Sequence, residues 1–207
     1  LGVAIEAVDE ALAGLTTPLY KASFETVAAT APDEVDDRYV ASIAGSLALR
    51  QQQLRLPQTT ASEIERESLR TFAASLLDCA FKFVRVQNVA AAVGEARKLL
   101  HYATQMSTVM CAVSRADGDV DAVLPRLFSN LDTGDAKPSE VLSLYRVFLL
   151  ACLESLQISA ADATSLASLR LLLGITDAQS DSVYEASAGP LFRKAVAEAV
   201  GGTMDEA

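Results

Sequence analysis

Residues 69–93 read LRTFAASLLDCAFKFVRVQNVAAAV, and this stretch decides the fold class. Leu69, Phe72, Leu76, Cys79, Phe83, Val86, Ala90 and Val93 recur at alternating steps of three and four. That spacing lines one face of an α-helix, because each residue turns the chain by about 100°. It predicts one long helix, or two nearly in line, with that stripe buried. Ala, Leu, Glu, Arg and Gln fill much of the rest, and all of them favour helix. Period-two runs rich in Val, Ile and Thr are missing, so no sheet is expected.

The same periodicity extends outward in both directions. Helix starts follow from polar residues that can satisfy free N–H groups. Ser62 with Glu65 spells a capping box, as do Ser159 with Asp162 and Thr176 with Gln179. Asp36 and Asp37 suit the positive end of a helix. Pro18 after Thr17, and Pro138 after the polar turn 132–137, suit first helical positions. Breaks are expected near 14–17, 30–32, 56–61, 116–119, 131–137, 158 and 174–177, with a break or sharp kink at Gly189 and Pro190. Segments 55–62 and 132–139 read as exposed loops. Nine or ten helices joined by short turns result. One echo stands out: Pro18-Leu19-Tyr20-Lys21 near the start and Pro190-Leu191-Phe192-Arg193 near the end. Each reads as a proline-started helix with its aromatic inward and its base outward, as a repeated helical unit would give.

Composition narrows the function. The chain has 207 residues, 51% hydrophobic and 21% charged, which excludes disorder and leaves room for a core without metal or disulfide. The net charge of −10 argues against nucleic acid, whose binding requires clustered Lys and Arg. Charge is unevenly placed. Segment 1–37 carries eight acids and one base, 38–115 five acids and ten bases, and 116–207 fourteen acids and six bases. The central bases fall at helical spacing and read as a solvated face. The acidic flanks favour encounter with a basic partner. Cys79, Cys111 and Cys152 are three, far apart and set in apolar text, so buried free thiols are expected. A regulatory disulfide among them is left open, because sequence cannot show which sulfurs meet. The apolar stretches 142–153 and 166–175 are interrupted by Arg146 and Arg170 and are too short to span a bilayer.

No catalytic signature appears. Phosphate-binding glycine loops, GxSxG and HExxH are absent, the last because His101 is the single histidine. Between Leu100 and Tyr102, His101 reads as a packed interface residue. A pairing of Cys111 with His101 fails on distance, since ten helical residues separate them by about 15 Å. Asp117, Asp119 and Asp121 carry the first spacings of a calcium loop, but Ala122 and Phe128 stand where that loop needs Gly and Glu. An acidic N-cap for a helix near Val120 is the simpler reading. The Ala116-Asp117-Gly118 turn also resembles the helical TerB-like family, although Leu124 and Pro125 stand where that family places an acid. No catalytic, cofactor-binding or metal residue is therefore assigned, and no cofactor is expected.

The most specific text is C-terminal. A leucine-rich helix ends in Leu173-Gly174-Ile175, a capped polar turn follows at 176–179, and then comes Ala188-Gly189-Pro190-Leu191-Phe192-Arg193. This resembles the repeats of the large scaffold subunits of the chloroplast inner-envelope protein translocon, the Tic complex. The resemblance implies an all-α fold: an elongated, solenoid-like stack of antiparallel helix pairs of HEAT-repeat type, with 1–207 a single helical-repeat domain from the C-terminal, stromal part of a longer chain. It implies a non-catalytic scaffold at the inner envelope that binds incoming precursor proteins, their transit peptides and stromal chaperones, with membrane anchors upstream and none in this segment. The rival readings are a helical-repeat adaptor unrelated to plastids and a TerB-like metal protein using Asp117, Asp119 and Asp121.

Overall fold

A computed structural model describes residues 2–29, 36–113, 120–153 and 158–202. Among them lie eight helices and no strand: α1 (Gly2–Ala29), α2 (Asp37–Gln53), α3 (Gln58–Arg85), α4 (Val89–Val113), α5 (Val120–Phe128), α6 (Pro138–Cys152), α7 (Ala160–Leu173) and α8 (Asp177–Gly202). The fold is all-α, as the periodicity predicts. The chain forms two compact units. One comprises Leu1–Ala73 and Tyr102–Phe128, the other Ala74–His101 and Ser129–Ala207.

The 69–93 stripe is two helices. α3 ends in a Schellman motif: Gln87 N–H donates to Val84 O and Asn88 N–H to Phe83 O, both at 3.0 Å, with Gln87 at φ 57°. Asn88 then caps α4, accepting from Ala91 N–H at 3.2 Å. The buried line is also rotated from the expected one. Leu69, Ala73, Leu77, Ala80 and Phe81 are buried, whereas Phe72 and Val86 are exposed. α3 is apolar on two adjoining faces, so the 3–4 pattern fits either, and packing selects the face bearing the small Ala73 and Ala80.

In the first unit, α1 packs on α2, and the core gathers Tyr20, Phe24, Ile43, Leu47, Ile64, Leu69, Met106 and Phe128. Burying one such aliphatic or aromatic side chain contributes about 1.5–3 kcal/mol. Aromatic rings run from α3 to α5. Phe72 and Tyr102 lie 4.7 Å apart and tilted, and Tyr102 meets Phe128 edge-on at 6.2 Å. Arg70 Nη1 donates to Leu127 O at 3.0 Å, which satisfies a carbonyl at the C-terminal end of α5.

In the second unit, α6 packs on α7 and α8 around Leu144, Phe148, Leu149, Leu169 and Leu172. The Ser159–Asp162 and Thr176–Gln179 boxes form as predicted, and Pro138 opens α6. α7 closes on Gly174 at φ 66°, and the amides of Asn130 and Leu131 bond the carbonyls of Leu171 and Leu172 at 3.2 and 2.8 Å. A side-chain carbon at Gly174 would lie 2.4 Å from Asn130 Oδ1, a side-chain end that can shift, so it is the left-handed backbone angle that calls for glycine.

Four further expectations are corrected, the first being the exposed loop at 55–62, where 58–62 is helical and Leu56 and Ala61 are buried. Pro18 and Pro190 stand inside α1 and α8, which run through the expected breaks at 14–17 and 189–190. An interior proline removes one helical hydrogen bond at a cost of about 3 kcal/mol, which a helix of 26 or 28 residues absorbs when its other residues pack. The echo keeps only part of its meaning: Tyr20 is indeed buried and Arg193 exposed, but neither proline starts a helix. Ser62 and Glu65 form no capping box, because α3 begins four residues earlier, after Pro57, whose carbonyl accepts from Ala61 N–H at 3.0 Å. The expected break at 30–32 lies outside the described residues.

Candidate functional site

The first unit holds a buried polar pair. Tyr20 of α1 donates its hydroxyl to Glu65 Oε1 of α3 at 2.5 Å, and both residues are only 1% exposed. Glu65 falls on the buried line with Ala61, Ile64, Ser68 and Leu69. Its second oxygen and the Ser68 hydroxyl have no hydrogen-bond partner among the described residues. Burial pushes the Glu65 carboxyl above its ordinary range, against the lowering effect of the Tyr20 bond. It raises the Tyr20 phenol too, reinforced by Glu65. The pair therefore tends toward neutrality and joins α1 to α3 across 45 residues of sequence.

Beside the pair opens a cavity of about 420 Å³, lined by Tyr20, Ala48, Gln51, Gln52, Arg55, Leu56, Gln58 and Val113. The turn from α2 to α3 shapes it. Arg55 N–H donates to Gln52 O and Leu56 N–H to Gln51 O, each at 3.1 Å, with Arg55 at φ 51°. This is a Schellman motif with arginine where glycine is usual. A second recess of about 480 Å³ is lined by Glu63, Arg66, Glu67, Arg70 and Arg126, charges of both signs. Lys21 reaches Glu67 there at 3.8 Å.

In the second unit, Arg85 forks onto Glu140, Nε to Oε1 at 2.9 Å and Nη2 to Oε2 at 3.1 Å. With the Lys137 N–H on the same carboxylate, this holds Glu140 at about 2. Cys152 is buried beside Asp162. Burial and that carboxylate push the thiol up, so it stays protonated and weakly nucleophilic.

The sequence-predicted candidates are scattered. Cys79 and Cys111 are half-buried rather than buried, and none of the three cysteines is joined in a disulfide. His101 is exposed on α4, turned away from its buried neighbours Leu100 and Tyr102, so the packed-interface reading does not hold. Asp36 caps α2, accepting from Tyr39 N–H at 2.7 Å. Asp117 and Asp119 lie outside the described residues, as does the expected break at 116–119. Asp121 opens α5, with nothing described of its side chain. Among the described residues no group of three His, Cys, Asp or Glu is placed to hold a metal ion. No helix among them is long and apolar enough to cross a membrane. Sequence reasoning missed the Tyr20–Glu65 pair. The available signal was a carboxylate in line with Ala61, Ile64, Ser68 and Leu69.

No curated protein matches the chain, and no solved structure does. The family model of Tic110, described as a chloroplast envelope transporter, matches residues 8–207. Matched over nearly its whole length, the chain belongs to the Tic110 family and has its role in chloroplast protein import.

Proposed function

We propose that this chain is a non-catalytic scaffold on the stromal side of the chloroplast inner envelope, receiving precursor proteins through their transit peptides and recruiting stromal chaperones. The family match over residues 8–207 carries this reading. The physical chemistry supports it. The ionisable groups the fold brings together serve structure: Glu65 joins helices, Glu140 and Asp162 stabilise helix starts, and Cys152 is held as a thiol. Transit peptides are rich in Arg and Ser and poor in acids. The acidic flanks, net −7 over 1–37 from eight acids and one base, attract them at long range. Amphipathic segments dock between packed helices. In this reading 1–207 acts as one helical-repeat domain, and neither nucleic acid nor a metal takes part.

The test is a pull-down with the chain as bait. Precursor proteins bearing their transit peptides, and stromal chaperones, are expected to be enriched. Recovery no better than with precursors stripped of the transit peptide overturns the reading.

A further inference from the structure

The cavity beside Tyr20 combines features that the scaffold role does not use. Gln51 gives one amide N–H to Leu56 O at 3.1 Å, and Gln58 gives one to Ser62 Oγ at 3.4 Å. Each keeps its side-chain carbonyl as a hydrogen-bond acceptor, while Gln52 is exposed with both donor and acceptor available. The wall thus offers acceptors for N–H groups. Arg55 adds the charge. It is exposed at the same wall and forms no ion pair among the described residues. Its guanidinium presents a planar fork suited to a carboxylate. Leu56, Ala48 and Val113 supply apolar surface. The volume of about 420 Å³ lies within the range of ligand sites. Glu65 lies behind Tyr20, is only 1% exposed and does not line the cavity, so its carboxyl does not face an incoming anion.

We infer that this cavity binds a carboxylate-bearing peptide segment, with Arg55 on the carboxylate and Gln51, Gln52 and Gln58 on main-chain amide groups. Main-chain recognition makes the site tolerant of sequence, and the carboxylate fixes direction. Such a ligand has the opposite charge to a transit peptide, so the site stands or falls independently of the scaffold role.

The carboxylate can come from a free C-terminus or from an acidic side chain, and three labelled probes separate these sources by fluorescence anisotropy. The first is a Gln-Ala repeat peptide with a free C-terminus, the second the same peptide amidated, and the third an amidated version with one internal Glu. Saturable binding of the first or third, stronger than of the second and weakened by salt, is expected. Arg55→Gln should weaken it at least about ten-fold, the loss expected for one charged hydrogen-bonded pair. Arg55→Gly should do the same while keeping the turn, since glycine suits φ 51° better than arginine. Arg38→Gln, at an exposed arginine elsewhere on α2, should leave binding unchanged. Failure of both carboxylate probes to saturate at millimolar concentration overturns the inference. So does equal binding of the uncharged probe, or an Arg55→Gly protein that is folded and binds normally.

Discussion

Two stretches of this chain are spelled alike and fold unlike. Ser62-Glu63-Ile64-Glu65 and Ser159-Ala160-Ala161-Asp162 both place an acid three residues after a serine. At 159–162 the pattern starts a helix. Ser159 Oγ accepts from Asp162 N–H at 3.1 Å, and Asp162 Oδ2 accepts from Ser159 N–H at 3.3 Å. At 62–65 the helix is already under way, and the acid points into the core toward Tyr20. The two acids consequently titrate in opposite directions. Ser159's hydrogen bonds lower Asp162, whereas burial raises Glu65. A capping box is thus defined by what precedes it. Pro57 starts α3 early and leaves Ser62 nothing to cap.

Substitutions at these two places sharpen the contrast. Glu65→Ala should have the largest effect, about 2–4 kcal/mol of lost stability, because it leaves a void and strands the Tyr20 hydroxyl. Denaturant unfolding measures it, and a loss below that of an ordinary surface change would mean the pair is not buried. Tyr20→Phe should cost about 1–2 kcal/mol, since it removes the donor and keeps the ring. Ser159→Ala should cost about 1 kcal/mol, the worth of an N-cap. Ser62→Ala should stay within about 0.5 kcal/mol, and equal costs at the two serines would erase the comparison.

The pH dependence gives the subtlest contrast. Glu65 ordinarily titrates near 4.5, and its folded value is raised. Its favourable contribution is therefore full below about pH 4.5 and is lost as the pH rises through the folded value. Asp162 runs the other way. From an ordinary 3.8 its folded value is lowered, so its contribution is present above about pH 3.8 and is lost as the pH falls through the folded value. Urea titrations across pH should show Glu65→Gln flattening the slope on the alkaline side of 4.5 and Asp162→Asn flattening it on the acid side of 3.8. Slopes of the same sign at both residues would contradict the geometry described.

Much of the architecture was legible because it is written in short-range signals. Ser159, Thr176, Asp36 and Pro138 each announce a helix start through chemistry within one turn, and Gly174 announces an end. What escaped depends on partners distant in sequence. Nothing near Gln87 marks it for φ 57°, since glutamine rarely adopts that angle and the α3–α4 turn imposes it. Prolines 18 and 190 read as starts because the local rule knows nothing of the packing that carries α1 and α8 past them. The face of α3 that is buried was ambiguous for the same reason. Phe72 and Leu77 are both apolar, and only the neighbouring helices decide between them. The cavity beside Tyr20 was invisible in the sequence, because its lining comes from α1, α2, the following turn, α3 and α4. Family membership, by contrast, was readable from 169–196 alone.

The junction at Gly174 has a kinetic consequence. Since the amides of Asn130 and Leu131 bond the last carbonyls of α7, fraying of that helix end releases the linker before α6 as well. Deuterium uptake at residues 130 and 131 should therefore be at least as fast as uptake in the final turn of α7, so that loosening of one stretch is felt by another 41 residues away in the chain.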